Sequence, residues 1–103
     1  MSKSQSISED QLDLMHIIEC DSNASQRQIA QKTGLSIGKV NYCLKALIDI
    51  GFIKIDNFTK SSQKINYAYI LTPKGIKEKA VITKQFIIKK KLEYVKLNSY
   101  INK

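Results

Sequence analysis

The chain has 103 residues, enough for one domain with one small hydrophobic core but not for a second, catalytic domain. Seventeen lysine and arginine residues against nine aspartate and glutamate residues give a net charge of +8. No segment approaches the roughly 20 consecutive apolar residues of a membrane span. The first residues lack the apolar run of a signal peptide, so we expect a cytoplasmic protein with no membrane partner. Residues 1–6 are expected to form a flexible tail.

The first predicted element is an amphipathic helix over residues 8–20. Ser8 is a suitable N-cap, and Gln11 three positions later completes a capping box. At helical spacing, the side chains expected to face a core are Leu12, Met15, His16 and either Ile17 or Ile18.

Residues 25–52 predict two short capped helices joined by a tight turn. Ser25 with Gln28 forms a capping box for the first helix, and Gly34 suits its left-handed C-cap. Ser36 caps the second helix and Gly51 ends it. The residues expected to face inward are Ile29, Ala30, Leu35, Val40, Leu44 and Leu47. This layout is typical of a helix-turn-helix, whose second helix normally lies in the major groove of DNA.

The rest of the chain predicts a hairpin and a last helix. Residues 52–55 and 65–71 are rich in β-branched and aromatic residues, and a polar segment separates them. Thr72 and Pro73 then provide an N-cap and a first helical position. We therefore predict a mainly α fold with a small β-hairpin. It comprises a winged helix-turn-helix DNA-binding domain over residues 1–72 and a C-terminal dimerisation helix over residues 73–103.

The proposed reading helix, residues 36–50, has one apolar side and one polar side. At about 100° per residue, the apolar stripe consists of Ile37, Val40, Leu44, Leu47 and Ile48. The opposite side offers phosphate and base-edge contacts, with Lys39 directed at guanine or phosphate and Asn41 at an adenine edge. Including the start of the preceding helix, the predicted DNA-binding residues are Ser25, Arg27, Ser36, Gly38, Lys39, Asn41, Tyr42 and Lys45. The alternative is a solvated face with Tyr42 at a protein contact.

The predicted wing, residues 57–64, adds Lys60, Ser62 and Lys64 to this set. In a winged helix this loop lies beside the minor groove, where cations meet an enhanced negative potential. Lysine is a poorer minor-groove probe than arginine, so we expect phosphate contact rather than sequence reading. The alternative is a simple flexible connection.

Charge is unevenly distributed along the chain. Residues 1–35 carry three basic and five acidic side chains, residues 36–72 carry five and two, and residues 73–103 carry nine and two. Such a gradient favours a basic face directed at phosphate. The alternative is a compositional bias, because 16 of the 17 cations are lysine.

The sequence contains few residues in patterns typical of catalysis or metal binding. We therefore predict no enzyme, no cofactor and no metal site. His16 is the only histidine, and with Cys20 it provides two of the four ligands that a zinc site needs. Cys43 lies in the reading helix, but no neighbouring residue clearly lowers its pKa. No phosphate-binding glycine loop, nucleophile elbow or carboxylate pair is present.

The last predicted helix carries apolar residues on several sides, more than one domain can cover. One stripe, consisting of Val81, Ile88, Leu92 and Val95, is spaced like a helix–helix seam. We therefore predict a homodimer formed mainly through residues 76–101, with two reading helices about one DNA turn apart.

Two segments resemble one protein family: SQRQIAQKTGLSIGKVNYCLKALIDIGFIKIDNF and YAYILTPKGIKEKA. The chain is similar to MarR-type winged-helix transcriptional regulators over residues 8–103, and closest to the short exopolysaccharide-associated subgroup. The resemblance implies a homodimer on a pseudo-palindromic operator, with residues 36–45 as the reading helix. The larger members have an extra N-terminal helix and a longer dimerisation region that form a ligand crevice; here one helix follows the wing. Whether a small-molecule effector binds this chain is left open by the resemblance.

Two functions therefore fit the sequence. The first is a sequence-specific DNA-binding transcriptional regulator, and the second is a winged-helix protein-interaction module without specific DNA binding. Polar donors on the exposed side of residues 36–46 favour nucleic acid, because protein hot spots need larger apolar anchors.

Overall fold

A computed structural model describes residues 7–57 and 67–102 of the chain. The elements are α1 (Glu9–Cys20), α2 (Gln26–Thr33), α3 (Ile37–Asp49), β1 (Ile53–Asn57), β2 (Tyr67–Leu71) and α4 (Pro73–Ile101). β1 and β2 form an antiparallel pair in which Ile53 is opposite Leu71 and Ile55 is opposite Tyr69. The predicted order of three helices, a hairpin and a last helix is confirmed.

Each helix begins directly after the residue that the sequence predicts as its N-cap. Ser8, Ser25, Ser36 and Thr72 are extended, and each side-chain oxygen accepts a hydrogen bond from a backbone N–H three residues later. Because these N–H groups have no partner within the helix, each such cap contributes about 1 kcal/mol to stability. The caps therefore fix where the chain enters every helix.

The end of α3 explains why β1 begins later than predicted. Gly51 has a φ of +86°, a conformation that favours glycine because it has no Cβ. The Gly51 N–H donates to the Ile48 carbonyl, and the Phe52 N–H donates to the Leu47 carbonyl. This pattern is a Schellman motif, so the backbone of Phe52 completes the helix end rather than the sheet. Residues 52–55 were predicted as strand, whereas the strand runs from Ile53 to Asn57.

One hydrophobic core joins all the elements. Its members are less than a tenth exposed and include Leu14, Met15, Ile18, Ile29, Val40, Cys43, Leu44, Leu47, Phe52, Ile53, Tyr69, Leu71 and Ile82. Burying one such large apolar side chain contributes about 1.5–3 kcal/mol. The core lies where α1, α3 and the hairpin meet. Only one side of α3 packs against this core.

Two predictions of inward-facing residues were wrong. His16 is exposed, and Leu14 is fully buried in its place, because the core-facing side of α1 follows Leu14, Met15 and Ile18. Ile37 is 46% exposed although it was assigned to the apolar stripe of the reading helix. Ile37 occupies the first position of α3, and the buried side of this helix begins at Val40.

α4 begins against the α3–β1 connection. The Thr72 hydroxyl donates to the Gly51 carbonyl over 2.6 Å, and the Thr72 N–H donates to the Phe52 carbonyl over 3.0 Å. A Cβ on Gly75 would lie 2.1 Å from the Phe52 carbonyl oxygen, so this helix position has room for glycine only. From residue 87 to residue 102 every residue is exposed. Within the described ranges, no helix is long and apolar enough to span a bilayer.

Candidate nucleic-acid interface

α2 and α3 form the helix pair predicted from the sequence. Gly34, with a φ of +78°, ends α2, and the Thr33 hydroxyl donates to the Ile29 carbonyl while accepting the Leu35 N–H. Val40, Cys43, Leu44 and Leu47 bury one side of α3 almost completely. Among the described residues, this attachment leaves Gly38, Lys39, Tyr42 and Lys45 exposed on the opposite side of α3.

The free side of α3 carries the residues predicted to contact DNA. Gly38, Lys39, Tyr42 and Lys45 are exposed, and Tyr42 is 68% exposed. The Lys39 Nζ lies 5.7 Å from the centre of the Tyr42 ring, within the range of a cation–π contact. Nothing but the Ser36 hydroxyl comes within 4 Å of a Cβ built on Gly38. The surface therefore combines two cations, an aromatic ring and a bare backbone segment.

Ser25 and Ser36 both use their side-chain oxygen to cap a helix. Ser25 Oγ accepts the Gln28 N–H over 3.1 Å, and Ser36 Oγ accepts the Lys39 N–H over 3.0 Å. Both hydroxyls remain exposed, and a capping hydroxyl keeps its own proton to donate. Arg27, next to the first cap, is also exposed. Lys60, Ser62 and Lys64 lie outside the described residues.

Asn41 differs from its neighbours because its side chain is bonded outside α3. Its Nδ2 donates to the Gln26 Oε1 over 3.4 Å, and the Gln26 Nε2 donates to the Tyr69 hydroxyl over 3.1 Å. The Tyr69 side chain is anchored in the core and its backbone N–H donates to the Ser22 carbonyl. Neither Gln26 nor Tyr69 was predicted, because 15 and 43 residues separate the bonded pairs along the chain.

Part of the basic charge of α4 faces α1 rather than an open surface. Lys79 Nζ lies 2.6 Å from a Glu19 oxygen, and Lys90 Nζ lies 2.9 Å from a Glu9 oxygen. The hydrogen bond and charge of Glu9 raise the pKa of Lys90. These two lysines of the last helix therefore pair with two of the four acidic residues of α1, and only the other lysines of this helix stay candidates for the predicted basic face.

The two cysteines lie in different environments. Cys43 is buried, and burial raises the pKa of its thiol, which disfavours the reactive thiolate. Cys20 is exposed, with its Sγ 3.8 Å from the His16 Nε2. In residues 7–57 and 67–102, no three His, Cys, Asp or Glu side chains come close enough to hold a metal ion.

A shallow groove runs between α1 and α4. It is lined by Leu12, Asp13, His16, Lys79 and Thr83. Partial burial, and then the charges of Glu9 and Asp10, raise the pKa of Asp13. The groove lies beside the Lys79–Glu19 ion pair and away from the exposed face of α3.

These elements define a winged helix-turn-helix fold followed by a long C-terminal helix. Residues 11–54 match a family described as winged helix-turn-helix DNA-binding. This match covers the three helices and the first residues of the hairpin, which is less than half of the chain. No curated protein matches the sequence.

Several solved structures have the same fold. A MarR/EmrR family transcriptional regulator from Acinetobacter sp. ADP1 is 22% identical, with a TM-score of 0.64 over 87% of this chain and 61% of its own. A mutant of S. aureus MepR is 17% identical, with a TM-score of 0.69 over 87% and 66%. Streptococcus pneumoniae FabT in complex with DNA is 17% identical, with a TM-score of 0.65 over 89% and 64%.

At these identities the likeness establishes the fold alone. The chain spans between a half and two thirds of the length of the first structures that it matches. The fold is therefore that of MarR-type regulators, and the activity has to be argued from the residues of this chain.

Proposed function

We propose that this chain is a sequence-specific DNA-binding transcriptional regulator of MarR type. It inserts the helix of residues 36–50 into the major groove and places the 57–64 wing near the minor groove. The observation that carries this proposal is the exposed side of α3, where Gly38, Lys39, Tyr42 and Lys45 project from a helix whose other side is buried. FabT, a protein of the same fold that was solved in complex with DNA, supports DNA as the partner of this chain.

The roles of the individual residues follow from their chemistry. The exposed hydroxyls of Ser25 and Ser36, with Arg27, donate to phosphates and set the register of the protein on the duplex. Lys39 and Asn41 read base edges, Lys45 contacts phosphate, and Tyr42 contacts phosphate or a thymine methyl group. Ile37, which is half-exposed at the start of α3, adds a second apolar contact for a thymine methyl group. Gly38 lets the backbone approach the groove wall.

Selection of binding sites from a randomised duplex pool, followed by equilibrium titration, tests this proposal. Lys39→Ala should weaken binding to the selected site by about 1–3 kcal/mol and relax discrimination at particular base pairs. Lys77→Ala, an equally exposed lysine on α4, is the matched control and should leave that discrimination unchanged. Failure of the wild-type chain to enrich any sequence would instead favour a protein-interaction module.

The wing should act differently from the reading helix. Lys60→Ala or Lys64→Ala should weaken binding to all sequences alike and reduce the salt slope by about one unit, because each removes one phosphate contact. A salt slope equal to that of the wild-type protein would show that the wing does not touch the backbone.

We further propose that the chain acts as a homodimer through α4. Val81, Ile88, Leu92 and Val95 are between 45% and 66% exposed. At about 100° per residue they form a stripe whose centre lies about 130° around the helix from Ile82 and Phe86, which pack on the core. This exposed seam needs a partner, and a second copy would present two reading helices to the two halves of an operator.

Lysines flank this seam on both sides. Lys84 and Lys91 lie on one side, and Lys89 and Lys96 lie on the other, all exposed. Pairing two copies brings like charges together, so added salt should tighten the dimer while it weakens DNA binding. Sedimentation and DNA titration over the same salt range measure these opposite slopes. Membership of the exopolysaccharide-associated subgroup stays a prediction from the resemblance.

A further inference from the structure

The hydrogen-bond chain that leads away from Asn41 distinguishes this half-buried residue from the exposed polar residues of α3. Of the side chains proposed to face DNA, Lys39 contacts a ring on its own helix, whereas Asn41 is bonded through Gln26 to Tyr69. Asn41 and Gln26 are half-buried, and Tyr69 is only 8% exposed. The side-chain amide of Gln26 on α2 therefore connects α3 with β2.

Among the described residues, the Asn41 side chain is hydrogen-bonded to Gln26 alone. A carboxamide has two N–H groups and one carbonyl oxygen, and the Gln26 oxygen uses one N–H. When that N–H is the one directed away from Oδ1, the second N–H and the Oδ1 atom form an adjacent donor and acceptor. Such a pair matches the N7 acceptor and the N6 donor of adenine in the major groove.

We propose that Gln26, although it lies outside α3, is a positioning residue that fixes the Asn41 amide and so determines base preference at the position that Asn41 faces. This inference rests on the proposed function, in which α3 reads the major groove. Gln26 need not touch DNA for this role. It acts by holding a side chain that would otherwise lose rotational freedom when the complex forms.

The direction of the hydrogen-bond chain matters as much as its presence. With its oxygen toward Asn41, Gln26 accepts from Asn41 and donates to the Tyr69 hydroxyl. If both amides turned over, the Gln26 N–H would donate to the Asn41 oxygen and the Tyr69 hydroxyl would donate to the Gln26 oxygen, so the Asn41 oxygen would be directed at Gln26 instead of at adenine. Glutamate at position 26 accepts only, so Gln26→Glu holds Asn41 in the orientation seen here.

The experiment combines Gln26→Met, which keeps the length but removes both hydrogen bonds, with Gln26→Glu and Asn41→Ala. Gln31→Met is the matched control, because Gln31 is an exposed glutamine on the same helix. Each variant is titrated against the selected wild-type site and against its single base-pair replacements. Thermal unfolding is measured in parallel.

Gln26→Met should reduce discrimination about three- to tenfold at one base pair, the same pair at which Asn41→Ala loses it. Combining the two substitutions should add nothing to Asn41→Ala alone. Gln26→Glu should weaken binding to all sequences, because it adds a negative charge, yet keep the preference at that pair. Gln31→Met should change neither quantity.

A measurement without DNA separates this inference from the proposed function. In ¹⁵N-labelled free protein, the side-chain amide resonances of Asn41 should shift in Gln26→Met and stay in place in Gln31→Met. Unchanged resonances, or Gln26→Met that keeps full discrimination at the Asn41 base pair, would overturn the positioning role. Loss of discrimination at many pairs together with a lower unfolding temperature would also overturn it. A wild-type protein without sequence preference would overturn the proposed function instead.

Discussion

The two halves of α4 have opposite surroundings. In residues 73–86, successive turns contact the rest of the domain through Gly75, Lys79, Ile82 and Phe86. In residues 87–101 every residue is exposed, although isoleucine, leucine, valine and tyrosine make up eight of the 15 residues there against three of the 14 in the first half. The first half belongs energetically to the winged helix. The second half has an apolar surface that the described part of the chain does not cover, and this contrast underlies the proposed dimer.

The largest expected effect tests the distal half. Replacing Ile88 and Leu92 together by glutamate should weaken dimerisation more than about a thousandfold, because each buried unpaired charge costs about 2–5 kcal/mol. Sedimentation equilibrium at micromolar concentration measures this change. Ile55→Glu, an exposed apolar residue on β1, is the control and should leave the assembly unchanged. A wild-type chain that sediments as a monomer would contradict the proposal.

Truncating an isoleucine in each half compares the two directly. Ile82→Ala should lower the free energy of unfolding by about 2–5 kcal/mol, because Ile82 is 8% exposed and packed in the core. Ile88→Ala should change it by less than about 0.5 kcal/mol at protein concentrations where the chain is monomeric. Urea unfolding over a range of protein concentrations provides both values. Equal losses at every concentration would mean that the distal half packs within its own chain.

Gly75 offers a sharper test of the proximal half. Gly75→Ala should destabilise the fold by about 1–3 kcal/mol, because the new Cβ would overlap the Phe52 carbonyl and neither backbone can yield easily. Gly38→Ala is the matched helical control and has open space, so it should raise stability by about 0.5–1 kcal/mol. A Gly75→Ala protein as stable as the wild type would show that α4 is not tightly seated on the α3–β1 connection.

The smallest expected effect concerns the two ion pairs from α4 to α1. Lys79→Met should cost about 1 kcal/mol, because the Lys79 side chain is only 18% exposed and its Nζ lies 2.6 Å from Glu19. Lys90→Met removes an ion pair in which both side chains are at least half exposed, so no measurable loss is expected. Thermal unfolding at low and high salt checks this order, and a larger loss for Lys90→Met would reverse it.

The sequence predicted one part of the candidate site correctly and missed another. The exposed side of α3 followed from its helical period, since Gly38, Tyr42 and Lys45 lie opposite the buried stripe. The same period wrongly assigned Ile37 to the core, because it does not reveal how far along α3 the neighbouring elements reach. The bond from Asn41 to Gln26 could not be predicted at all, because it depends on how α2 packs on α3.

The sequence by itself determined the local structure: four helix N-caps, the left-handed Gly34, the end of α3 at Gly51 and the order of helices and strands. These features depend on hydrogen bonds and backbone conformations within about four residues, so the residue types suffice to specify them. Only the tertiary structure decided that Leu14 rather than His16 enters the core, that Lys79 and Lys90 face α1, and that Gln26 holds Asn41. Those contacts join residues far apart along the chain, and helical periodicity specifies which side chains share a face without specifying what lies opposite.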